Sequence, residues 1–151
     1  MIDAFLLEET PRALQRLNAT TQPEWGEMNA TEMLDHLYTG LLLAQDPRDW
    51  PIRTPEDNLP AVKAFLMGPK PLPRNAERPV GFIELKPTSS SDFEAARDRF
   101  LNEIPQLLKA LDREDYRMVH PDFGVLNSEE ALVLARKHTR HHLAQFGLME
   151  R

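Results

Sequence analysis

Most of the chain's 13 prolines fall between residues 47 and 87, in "PRDWPIRTPEDNLP" and "GPKPLPRNAERPVGFIELKPTSS". Proline lacks the amide that a helix interior or an inner strand needs, and its ring clashes with the preceding turn. That stretch cannot be one long helix or a central strand. It reads as an ordered, irregular crossover with two helix-forming segments before it and two after. "AVKAFLM" within it is a candidate short helix. "VGFIEL" has strand-like residues, but a single short strand would need a partner.

The four flanking segments carry apolar residues at helical spacing. Residues 3–19 place Phe5, Leu6, Ala13, Leu14 and Leu17 on one pattern, with Pro11 breaking it or starting a second piece. In "MNATEMLDHLYTGLLLAQ", Asn29 and Glu32 have the spacing of a capping box. Met28 and Met33 are placed as a hydrophobic staple, and the helix is expected to end near Asp46, before Pro47. "SDFEAARDRFLNEIPQLLKAL" repeats the box spacing at Ser91 and Glu94, and Pro105 is expected to kink the helix. "NSEEALVLARKHTRHHLAQFG" has Asn127 as cap, Glu130 at the third position and Gly147 as a stop. Short connections favour antiparallel neighbours, and a long one lets two helices run parallel. The expectation is an all-α four-helix bundle, its second and third helices parallel, in one domain over residues 1–151.

Three of the five histidines lie within "HTRHH". At 100° per residue, Ala131, Leu134, His142 and Gln145 lie within about 40° of His138, while Arg136 and Arg140 point the opposite way. His138 and His142 therefore share the inward stripe one turn apart, a spacing at which two imidazoles can hold one ion. His141 sits at the stripe's edge, and His138 with His141 is the alternative pair. An H-x-x-x-H pair alone also suits two hydrogen-bonded core histidines. His36, however, lies on the apolar face of the second helix in line with Met33 and Leu43, with Gly40 leaving space beside it. Three inward histidines without partners would cost roughly 1–3 kcal/mol for each unsatisfied group. A shared divalent ion satisfies all three.

Other groups have simpler readings. Glu32 lies one turn before His36 and could act behind the ligands, although capping accounts for it. Asp35 points away and reads as solvated, and Tyr38 lies off the face. Trp25 reads as a packing anchor. His120, in "HPDFGVL", reads as ordering the lead into the last helix. With no cysteine in 151 residues, thiolate ligands and cysteine nucleophiles are excluded, so a metal must be held by His, Asp or Glu. The net charge of −6 argues against a general nucleic-acid or anionic-membrane binder. The N-terminal segment lacks a basic region before its apolar residues and no apolar run is long enough to span a bilayer, so the cytoplasm is the default compartment.

"WGEMNATEMLDHL", "HPDFGVLNSEEA" and "KHTRHHLAQFGL" together resemble the DinB/YfiT-like superfamily and, within it, the domain family DUF1569. The likeness covers the second and fourth helices with their leads. It implies an up-down-down-up bundle and a metal held by His36, His138 and His142, with Gln145 at the position of a glutamine commonly found after the last ligand. Superfamily members of known chemistry include thiol-dependent S-transferases and isomerases that use bacillithiol or mycothiol, so the resemblance implies a low-molecular-weight thiol as cosubstrate.

Three imidazoles leave an open position on the ion, as catalytic sites do. Zinc is the first expectation, and nickel and iron also accept imidazole. The functional expectation is a metal-dependent enzyme acting on a small molecule, through thiol transfer or as a metal-water hydrolase. The alternative is a non-enzymatic bundle that binds a small ligand or forms a homodimer.

Overall fold

Helix dominates the computed structural model, which describes residues 1–74, 82 and 84–151, with a two-stranded hairpin as the sheet among them. The first helical segment is shorter than its apolar pattern. A π-helical turn, Phe5–Glu9, runs into α1, Thr10–Leu14. Pro11 sits in the first turn of α1, where its missing amide is not needed. Asp3 fixes this segment: its Oδ1 accepts the Leu6 amide at 2.8 Å and its Oδ2 accepts Arg136 Nε at 2.7 Å.

α2, Ala30–Gln45, begins with a complete capping box. Asn29 Oδ1 accepts the Glu32 amide at 2.8 Å, and Glu32 Oε1 accepts the Asn29 amide at 3.0 Å. It ends at Asp46, ahead of Pro47. The crossover contains α3, Leu59–Met67, which stops at Gly68. The strand-like run at 80–85 falls largely outside the described residues.

α4, Phe93–Leu111, is capped one residue later than its sequence spacing suggests. Asp92, not Ser91, accepts the third-turn-position amide, that of Ala95, at 2.8 Å. Both residues are good caps, but a carboxylate also complements the positive end of the helix dipole. Pro105 lies inside α4 without ending it.

Strands β1, Met118–His120, and β2, Gly124–Leu126, pair antiparallel with His120 opposite Gly124. This hairpin has no counterpart in the sequence reading, because three-residue strands are too short to show a period. α5, Ser128–Gln145, starts with the Asn127–Glu130 capping box. It closes with Gly147 at φ +72°, the Gly147 amide bonding Ala144 O and the Leu148 amide bonding Leu143 O, both at 2.9 Å. This is the Schellman arrangement, in which a left-handed glycine lets the last carbonyls find donors.

α2 packs along α4 and α5. Met33, Leu34 and Leu37 of α2, Phe100, Ile104 and Leu107 of α4, and Leu143 of α5 are all but fully buried. Each contributes roughly 1.5–3 kcal/mol through burial. No helix among the described residues is long and apolar enough to cross a membrane.

Candidate metal centre

α2 and α5 bring together His36, His138 and His142, and one ring nitrogen from each lies within 4.8 Å of the others. The three rings meet edge to face, with centroids 4.6–4.8 Å apart and planes inclined by 72°, 80° and 85°. His36 Nε2 and His138 Nε2 are 2.9 Å apart. Nitrogens around a tetrahedral zinc stand roughly 3.3 Å apart, so a divalent ion fits with a small separation of the two rings.

Two glycines make room for this arrangement. A Cβ on Gly40 would stand 2.9 Å from His138 Nδ1, so the space left open beside His36 is filled by the His138 ring. Gly26, at φ +79°, approaches Gln145 so closely that a Cβ would stand 2.6 Å from its Nε2. Gln145 Nε2 donates to Trp25 O at 2.9 Å, which turns Oε1 toward His142 Nδ1 at 2.7 Å. The Nδ1 must then carry the His142 proton, leaving Nε2 with a lone pair to offer. Such a partner behind a histidine fixes both tautomer and ring orientation in metal sites.

Burial pushes the His138 pKa well below its ordinary value, and the neighbouring His142 and His36 add to the effect. His138 is therefore neutral at pH 7, the form that binds metal. Phe82 stacks on His36 at 4.7 Å and 26°, covering one flank of the cluster.

All three histidines line a cavity of about 440 Å³, together with Trp25, Phe65, Phe82, Met118 and Phe123. Ligand-binding cavities commonly fall in this size range. α3 forms part of the wall through Val62 and Phe65. It is held there by Lys137, whose ammonium donates to Phe65 O at 3.2 Å, Gly68 O at 2.7 Å and Lys70 O at 2.8 Å.

His141 stays outside the group that could share an ion, so the alternative pair with His138 is not the one assembled. It is half-buried and packs edge-on against Trp25 at 5.6 Å and His142 at 4.9 Å. Trp25 is more than an anchor, since its carbonyl holds Gln145 and its side lines the cavity. Glu32 keeps its carboxylate in the α2 cap. Asp35 is not solvated as expected. It accepts Arg99 Nη2 at 2.7 Å, Ser90 Oγ at 2.6 Å and the Ser90 amide at 2.9 Å. Those partners come from a distant part of the chain, which periodicity on α2 cannot reveal.

His120 does order the hairpin, its Nδ1 accepting the Asp122 amide at 3.0 Å, and it also lines the cavity, which its sequence position did not suggest. Burial, with a smaller contribution from Arg53, lowers its pKa to about 4 against the opposing pull of Asp122. No protein-family model, curated protein or solved structure matches the chain.

Proposed function

We propose that the protein is a metal-dependent enzyme of the DinB/YfiT-like, DUF1569 type, with its helices in an up-down-down-up bundle and one divalent ion, zinc foremost, held by His36, His138 and His142. The observation that carries this reading is the convergence of three ring nitrogens, one fixed from behind by Gln145, on the wall of a ligand-sized cavity. A three-histidine ion with an open position supplies Lewis acidity and lowers the pKa of whatever it binds there, a thiol cosubstrate or water. The chain itself supplies the rest. Gln145 holds the His142 proton on Nδ1, Gly40 admits the His138 ring beside α2, and Phe82 and the cavity wall limit water around the cluster.

One observation favours the non-enzymatic alternative. At 2.9 Å, His36 and His138 can satisfy each other through a single shared proton, without an ion. Metal analysis of protein purified without a histidine tag decides between the two. About one equivalent is expected, lost in His142→Ala and kept in His120→Ala, whereas equal content in all three proteins would reject the ligand set. Thiols titrated into the cobalt form then separate the two chemistries. A near-ultraviolet sulfur-to-cobalt band, absent with His138→Ala, is expected for thiol use, and no band with any thiol leaves the hydrolase reading.

A further inference from the structure

The cavity shows what kind of molecule it can receive. Among the described residues, no lysine or arginine lines it. Of its carboxylates, Asp122 is engaged by Arg53, with Nη2 and Oδ2 3.0 Å apart, and Glu27 is exposed. Most of the remaining lining is apolar, with Leu41, Phe65, Met118 and Leu134 as examples. Away from the three histidines, a charged ligand group would lose its water there without gaining a counter-ion. The volume suits a molecule on the order of twenty non-hydrogen atoms.

One polar group in this wall stands apart from the three-histidine cluster. His120 is only 5% exposed, and its Nδ1 accepts the Asp122 amide. A neutral ring whose Nδ1 is an acceptor carries its proton on Nε2. No acceptor among the described residues takes that proton, yet Nε2 is not among the buried ring nitrogens sealed off without a partner. His120 is one of the residues that line the cavity. The result is an N–H donor without a protein acceptor among the described residues, on a hairpin residue that lines the same largely apolar cavity as the three histidines.

We propose that His120 is a substrate-binding residue, whose Nε2–H donates to a carbonyl-type oxygen of a neutral, largely apolar substrate seated in this cavity. The proposal rests on the reading of the cavity as the substrate site, but not on the ion. An apolar body gains from burial, while an oxygen acceptor answers the His120 donor. An isosteric hydrocarbon would leave that donor unpaired.

Butyrophenone and butylbenzene form a suitable probe pair, titrated into full-length protein carrying ¹⁵N-histidine, first metal-free and then with zinc. The expected result is that both ligands perturb cavity resonances but only the ketone shifts the His120 Nε2–H signal. The ratio of ketone to hydrocarbon affinity should fall on the order of fivefold in His120→Phe. His120→Gln, which can keep both an acceptor and a donor, should retain part of the preference and covers the case in which His120→Phe unsettles the hairpin. A ketone that binds without moving the His120 signal overturns the assignment, and so does a cavity indifferent to both ligands. The His36, His138 and His142 signals report zinc separately. Zinc binding with a silent His120 would reject this proposal alone, and ketone recognition without zinc binding would reject the metal reading alone.

Discussion

Gly40 sets two residue-scale effects against each other. In an exposed helix interior, alanine is favoured over glycine by about 1 kcal/mol. Here the new methyl would meet His138 Nδ1 at 2.9 Å and displace the ring. Gly40→Ala is therefore expected to keep or raise helix content while weakening zinc binding about 10–100-fold, the range typical of disturbed ligand orientation. Calorimetric titration checks it, and unchanged affinity would show that the ring has another place to go. His120 gives a pH dependence. Its folded pKa is about 4, against an unfolded value of about 6.5. Between those values the unfolded chain holds a proton that the folded chain does not, so stability is full above the unfolded value and falls as pH drops through 6.5 toward 4. At pH 5 the loss from this ring is roughly 2 kcal/mol. Urea unfolding in chelator at pH 7.5 and pH 5 should show a smaller drop for His120→Asn than for the native chain, and equal drops would remove His120 as a cause.

The elements differ in how far they stand on their own. α2 and α5 begin with capping boxes formed within four residues, and their inward faces follow from a 3.6-residue period, so they were legible in the sequence together with the directions of His36, His138 and His142. What was not legible depends on partners remote in the chain: the β1–β2 pairing, the Arg99 and Ser90 contacts of Asp35, and the cavity face of His120. The choice of Asp92 over Ser91 was a local ambiguity between two competent caps. α3 is legible as a helix, but its nine residues are too few to be stable alone, and Lys137 supplies donors at its C-terminal end. Lys137→Met should speed amide exchange over 59–70 at least several-fold while α5 remains protected and zinc still binds. Unchanged exchange would mean that side-chain packing and the Lys63 contacts to Val125 O and Glu130 hold α3 without Lys137.

On the scale of the whole molecule, the three histidines join α2 to α5 across 102 positions of sequence. An ion bound only by the folded chain stabilises it by about 2.7 kcal/mol at one hundred times its dissociation constant. Thermal melts should therefore rise with zinc in the native protein and stay flat in His142→Ala. A parallel rise in the variant would point to zinc held elsewhere.

The way α3 is attached has a consequence for variation. The cluster rides on α2 and α5, whereas Val62 and Phe65 reach the cavity from a separate short helix, held by Lys137, by Lys63 and by the buried Leu66. Part of the cavity lining thus comes from outside the helices that carry the imidazoles, while Leu41, Leu134 and Ala135 of α2 and α5 supply another part. Exchanges at Val62 and Phe65 can reshape that side of the chamber for molecules of another outline, while α2 and α5 keep the imidazoles in their places.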